Sequence, residues 1–187
     1  YQPPASLLQR ARLLDFPHAD HCLLILSVPL DGTPNAWREW AFGEPGAPLA
    51  ADVIAASTLP APLFAVQHVI PHGLTIFAGA PKCGKSWMIL DVALSVACGL
   101  PWNGQTTRQG IVLYLALEDT YARIKDRVSR LTTEAPPGLK FAVNWPQEDT
   151  LQLSAWCAKH RPELVIIDTL GKWRAGRAST YARDVAD

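Results

Sequence analysis

A chain of 187 residues that is 49% hydrophobic and 18% charged can bury a substantial core and is too apolar to be disordered. Its 17 basic and 17 acidic side chains cancel, which excludes a global field drawing it to nucleic acid or anionic lipid, so any such contact has to be local. The longest apolar runs, Cys22 to Leu30 and Ile111 to Leu117, fall short of the roughly 20 residues of a membrane span; no signal or transit segment is visible, and no membrane partner is expected.

In chain order, nine of the sixteen prolines fall in residues 1 to 62, where they separate a short helical pattern (Ser6 to Asp15), an apolar strand-like run (Cys22 to Val28) and a piece carrying Trp37 and Trp40. Residues 1–50 therefore read as an N-terminal extension or accessory region of unknown fold. From Leu63 the pattern becomes regular: strand 74–78, helix 86–98, strand 111–117, helix 120–132, a short strand near Phe141 to Val143, helix 149–160 and strand 164–168. Strands alternating with helices at this spacing predict an α/β fold with a mainly parallel central sheet and right-handed crossovers. Ile111 to Leu117 and Leu164 to Ile167 are continuously apolar, as strands covered on both faces should be.

Between the first predicted strand and helix of that core stands Gly79-Ala80-Pro81-Lys82-Cys83-Gly84-Lys85-Ser86, a complete G-x-x-x-x-G-K-S phosphate-binding loop, followed by Trp87. The glycines let backbone N–H groups turn inward on a phosphate chain, the lysine reaches the β- and γ-phosphates, and the serine hydroxyl ligates Mg²⁺. The helix that follows points its positive end at the same anion. Gly79 to Trp87 are thus the nucleotide-binding residues, with Lys85 also assigned to catalysis.

Leu164-Val165-Ile166-Ile167 ends in Asp168, a carboxylate at the sheet edge where the loop opens, suited to hold Mg²⁺ with Ser86. The next residue is Thr169, so the water-activating base has to come from elsewhere. Glu118 ends the preceding buried strand at the same edge and is the candidate; the competing reading is that Glu118 or Asp119 merely caps the helix starting near Thr120. Asp119 is expected to take the capping or supporting role. The Asn/Thr-Lys-x-Asp signature of guanine-specific proteins does not occur, which favours adenine.

Two basic clusters remain. Arg123, Arg127 and Arg130 recur at helical spacing and read first as a solvated face, with nucleic-acid or subunit contact as the alternative. Gly171-Lys172-Trp173-Arg174-Ala175-Gly176-Arg177 reads as a cationic loop in which Trp173 would stack a base while Lys172, Arg174 and Arg177 meet phosphates of single-stranded DNA; an ordinary exposed loop or a subunit contact competes with that reading. The four cysteines have no metal-type spacing, which suggests reduced thiols in a cytosolic protein.

Several stretches coincide: Val69-Ile70-Pro71-His72-Gly73-Leu74-Thr75, the loop itself, Val112-Leu113-Tyr114-Leu115-Ala116-Leu117-Glu118-Asp119, and Val165-Ile166-Ile167-Asp168-Thr169-Leu170. Together with Asn144-Trp145-Pro146 and Tyr181-Ala182-Arg183-Asp184, they resemble the RepA-like branch of the RecA-type P-loop ATPases of plasmid, phage and other mobile-element replication, over about residues 51–187. The resemblance implies a RecA-like core, ATP and Mg²⁺ as cofactors, a homo-oligomer such as a hexameric ring with sites between subunits, and helicase movement on single-stranded DNA. By motif it assigns Lys85 and Ser86 to phosphate and Mg²⁺, Glu118 to catalysis and Asp168 to the metal. It also implies further strands, a polar sensor and an arginine finger beyond Asp187, so the chain is expected to be a C-terminally incomplete core. The competing function is an ATP-gated DNA- or protein-binding module with little hydrolysis; a small-molecule phosphotransferase is disfavoured because no lid-like arginine cluster is evident.

Overall fold

The computed structural model describes residues 22–27, 50–58, 61–146 and 150–173. In chain order the elements are β1 (Cys22–Ser27), α1 (Ala51–Ala56), β2 (Phe64–Val66), β3 (Ile70–Pro71), β4 (Gly73–Ala78), α2 (Lys85–Cys98), β5 (Val112–Ala116), α3 (Tyr121–Leu131), β6 (Leu139–Ala142), α4 (Thr150–His160), β7 (Leu164–Asp168) and α5 (Leu170–Trp173). The main sheet has the order β4-β1-β7-β5-β6, and β2 and β3 form a separate two-stranded hairpin. Strands β7, β5 and β6 are parallel, as the alternating pattern predicts. The helical pattern at Ser6 to Asp15, together with Trp37 and Trp40, lies outside the described residues.

The strand-like run in the expected extension is not apart from this sheet. β1 is hydrogen-bonded antiparallel to β4 on one side and to β7 on the other, so it separates the phosphate-loop strand from the Asp168 strand. Its sequence permits this because Leu23 and Ile25 are apolar and almost fully buried. The sheet is therefore mixed, with a parallel three-stranded part.

The strands that read as continuously apolar are covered on both faces, with every residue of β5 and β7 buried. Alternation divides them between two cores. Val112, Tyr114, Ala116, Leu164 and Ile166 pack with α2 and with Ile124 of α3. Leu113, Leu115, Val165 and Ile167 pack with Leu153 and Cys157 of α4 and with Leu170 and Trp173 of α5. Burying a Leu, Ile or Val side chain contributes roughly 1.5–3 kcal/mol, so these two layers hold the sheet edge that carries the site. Among the described residues no helix is long and apolar enough to cross a membrane.

Candidate nucleotide site

Strand register brings the chemistry to one edge. Leu23 of β1 pairs with Phe77 of β4 and with Asp168 of β7, and Asp168 pairs with Ala116 of β5. Phe77, Leu23, Asp168 and Ala116 thus form one row across the sheet. The phosphate loop leaves β4 just beyond that row, and Glu118 stands just beyond it on β5. The Leu117 N–H donates to the Asp168 carbonyl over 2.7 Å, extending the parallel pairing to the doorstep of Glu118.

The loop turns into α2 through Gly84, whose φ of 93° is in the left-handed region that side chains rarely adopt. Gly84 offers no side-chain cap, and the first turn of α2 carries no acidic residue. The first N–H groups of a helix have no intrahelical acceptor, so this end, uncapped and without a carboxylate, suits an anion. The Lys85 ammonium is anchored over the loop, donating to the Gly79 and Ala80 carbonyls at 2.7 Å each, with Cys83 Sγ at 3.9 Å. Ala80, Pro81, Lys82, Cys83 and Gly84 are exposed, as residues that meet a ligand must be.

The Ser86 hydroxyl lies close enough to the Asp168 carboxyl to favour its charged form although β1 separates their strands. Rows two strands apart are about 10 Å distant, so it is the loop and the first turn of α2 that fold back to close the gap. Burial pushes the Asp168 carboxyl above its ordinary range; the hydroxyls of Tyr114 and Ser86 oppose this, the charge of Glu118 adds to it and that of Arg127 opposes it. A hydroxyl and a buried carboxylate are hard oxygen donors of the kind magnesium takes, and a cation would relieve the burial penalty on Asp168. The residues fit both a phosphate chain and its metal.

Glu118 and Asp119 are adjacent, yet the fold gives them different surroundings. Asp119 accepts from Arg127 Nη1 and lies 3.2 Å from Arg123 Nε, and its Oδ1 accepts from the Thr120 N–H at 3.0 Å. The helix cap itself is Thr120, whose hydroxyl accepts from the Arg123 N–H at 3.3 Å. Asp119 is thus committed to supporting the start of α3. Glu118 is exposed, and its Oε1 accepts from the Thr169 hydroxyl at 2.9 Å.

The basic clusters fare differently. Arg123 and Arg127 pair with Asp119, and Arg130 pairs with Asp126 at 3.0 Å, so the α3 guanidiniums are largely neutralised by their own helix and its approach. The Arg127 guanidinium carbon also lies 5.7 Å from the ring centroid of Trp87, which is part exposed in the first turn of α2. Where the sequence predicts a loop from Gly171, residues 170–173 form a helical turn. Lys172 is exposed, but Trp173 is 4% exposed and packed in the core, so the stacking role expected for it is corrected: a buried indole has no face to offer a base. Arg174 and Arg177 lie outside the described residues.

Sequence reasoning missed Tyr114 and Thr169. Tyr114 donates from its hydroxyl to Asp168 Oδ2 at 2.8 Å. A signal existed, since a tyrosine in an otherwise apolar buried strand has to find a partner for its hydroxyl. Thr169 carries no such signal, since a threonine after a strand-ending aspartate does not show by itself which side chain its hydroxyl meets.

The family model described as AAA domain matches residues 45–187, whereas no curated protein and no solved structure matches the chain. With that match covering most of its length, and with a phosphate loop, a hydroxyl–carboxylate pair and an exposed acid converging on one sheet edge, the chain belongs to the AAA domain family of P-loop ATPases.

Proposed function

We propose that the chain is a Mg²⁺-dependent ATPase of RecA-like fold, from the RepA-like branch, in which Glu118 activates the attacking water. The observation that carries this reading is the contrast between the two carboxylates after β5. Asp119 is bound by two guanidiniums, while Glu118 is exposed beside Asp168 and held by one hydroxyl.

In this reading the backbone of Gly79 to Ser86 and the Lys85 ammonium bind the phosphates, and Trp87 flanks them. Ser86 and Asp168 would hold a magnesium ion, which would supply positive charge to offset that on the phosphoryl group. Glu118 orients a water and takes its proton as the water oxygen bonds to the terminal phosphorus; the bond from that phosphorus to the ADP oxygen breaks, giving ADP and phosphate. Residues 51–187 form the core and residues 1–50 an extension that lends it β1, a boundary supported by the family match from residue 45.

A homo-oligomer, hexameric in its ring form, acting on single-stranded DNA as a helicase or replication motor extends the same resemblance. Its support in the fold is the exposed Lys172 beside the site, followed in sequence by Arg174 and Arg177. A cytoplasmic setting fits the free thiols of Cys83, Cys98 and Cys157. The alternative, an ATP-gated binding module, is favoured by one observation: the helical turn bearing Lys172 touches Glu118 through Thr169.

Hydrolysis measured with and without single-stranded DNA tests the reading. Glu118→Gln should keep ATP affinity and lose turnover at least about 100-fold, within the range for general acid–base groups. Unchanged turnover would remove Glu118 from the mechanism. ATP-dependent partner affinity that survives Glu118→Gln, with negligible hydrolysis in the unsubstituted protein, favours the gated module.

A further inference from the structure

Thr169 follows Asp168 directly, is 7% exposed, and uses its hydroxyl twice. Toward its own chain the oxygen accepts from the Lys172 N–H at 3.4 Å, and the Thr169 carbonyl accepts from the Trp173 N–H at 3.1 Å, so Thr169 opens α5. Toward β5 the hydroxyl donates to Glu118 Oε1 at 2.9 Å. A hydroxyl has one proton, and an ionised carboxylate can only accept. With the Lys172 N–H on one lone pair, the proton has one charged acceptor to serve, which is Glu118. The side chain is also β-branched, restricted at χ1, and nearly buried, so its oxygen is a fixed point.

Glu118 itself is exposed and has several rotatable bonds. An exposed glutamate samples many rotamers, and the free-energy cost of confining it falls on whatever holds it. We propose that Thr169 is a positioning residue for the water-activating glutamate: its hydroxyl holds one Glu118 oxygen at the Asp168 edge and leaves the other for the water. This rests on the assignment of Glu118 in the proposed function. Because the same oxygen caps α5, the glutamate's place is referenced to a helix anchored by buried Leu170 and Trp173.

The test uses the full chain and ATP, with steady-state hydrolysis and fluorescent-ATP binding measured for Thr169→Val, Thr169→Ser, Glu118→Gln and the Glu118→Gln/Thr169→Val pair. Thr169→Val removes the hydroxyl at nearly constant shape and should lower kcat about 10- to 100-fold, as expected for a misplaced catalytic group, with KM and ATP affinity little changed. Thr169→Ser restores the donor and should recover most of the rate. In the Glu118→Gln background, Thr169→Val should have little further effect, because the residue acts through Glu118. Equal losses in Thr169→Val and Thr169→Ser, or full kcat in Thr169→Val, would overturn the positioning role while leaving Glu118 in place. Undiminished turnover in Glu118→Gln, or no turnover in the unsubstituted protein, would overturn the Glu118 assignment and this inference with it.

Discussion

The Tyr114 hydroxyl donates to Asp168 Oδ2 across 2.8 Å, from the middle of one strand to the end of its parallel neighbour. Tyr114 pairs with Ile166, so Asp168 is its diagonal neighbour two residues on, on the same sheet face and within reach of an aromatic side chain. Burial raises the pKa of both groups: it pushes the tyrosine up, with the Asp168 charge adding to this, and it pushes Asp168 up against the opposing hydrogen bond.

Removing the phenol oxygen with Tyr114→Phe deprives a desolvated carboxylate of a donor, which should cost about 1.5–3 kcal/mol at neutral pH. The pH dependence follows from the direction of the Asp168 shift. An acid whose folded pKa is raised contributes stability that is present at low pH and lost as pH rises through the folded value. Losing the Tyr114 bond raises that pKa further, so the gap between the proteins should be small below the ordinary carboxylate range and full above the shifted value. Urea unfolding at several pH values checks this; a gap independent of pH would show that Tyr114 acts by packing alone.

At the opposite edge of the sheet Glu163 is completely buried, accepting from His72 Nε2 at 2.9 Å in its protonated-Nε2 form, with Arg108 Nε 3.6 Å away. Gly110 permits this, because a Cβ on it would stand 2.5 Å from the Glu163 Cβ. Gly110→Ala should therefore destabilise by about 1–3 kcal/mol through overpacking, without changing nucleotide affinity, since the site lies at the other end of the strands. Thermal unfolding with and without ATP separates the two effects.

The strands of the main sheet and helices α2, α3 and α4 were legible because they announced themselves by period and by length, whereas the β2–β3 hairpin, with Ala65, Val66 and Ile70 in the core, and the turn of α5 were not. The predicted strand 164–168 and helix 86–98 match β7 and α2 to within one residue. The place of Cys22–Ser27 was not legible: an apolar run shows that a strand is buried but not which strands flank it, and the pairing of β1 with β4 and β7 is a long-range choice. Trp173 misled for a related reason. Its cationic sequence neighbours suggest exposure, whereas a single turn of helix places Lys172 outward and Trp173 against Leu170 and the α4 core. The loop, Asp168 and Glu118 were readable as separate signals, but the bonds joining Tyr114 to Asp168 and Thr169 to Glu118 depend on register, which no local pattern encodes.

The thiols should separate by environment. Burial pushes the Cys157 thiol up to about 12, whereas Cys83 is exposed in the phosphate loop. Because the thiolate is the reactive form, Cys83 should label with a disulfide reagent at pH 8 while Cys157 resists until the protein unfolds. The same shift makes a linkage statement. With a folded value near 12 against an ordinary value of 9.0, the neutral buried thiol contributes stability that is intact below pH 9 and lost as pH rises toward 12. The slope there approaches about 1.4 kcal/mol per pH unit, and Cys157→Ala should flatten it. Labelling of native Cys157 at the rate of Cys83 would contradict its burial.

Lys85 offers the sharpest separation of binding from folding. Its ammonium bridges the Gly79 and Ala80 carbonyls in a part-exposed loop, where such bonds exchange with water and contribute little net stability. Lys85→Ala should therefore change unfolding stability by no more than about 0.5 kcal/mol, the usual range for surface positions. Nucleotide affinity should behave otherwise, because the same ammonium lies over the loop on the Gly79 and Ala80 carbonyls, and a charge-assisted bond to phosphate is roughly twice as strong as a neutral one. An affinity loss of at least about tenfold, or about 1.4 kcal/mol, is expected. A ligand that binds only the native state raises its stability by an amount that grows with concentration over Kd, so the ATP-induced rise in melting temperature should shrink or vanish in the variant while the ligand-free melting temperature holds. An undiminished ATP-induced rise in Lys85→Ala would place the phosphates somewhere other than this loop, whereas a collapse of the ligand-free melting temperature would mean that the two carbonyl bonds organise the loop itself.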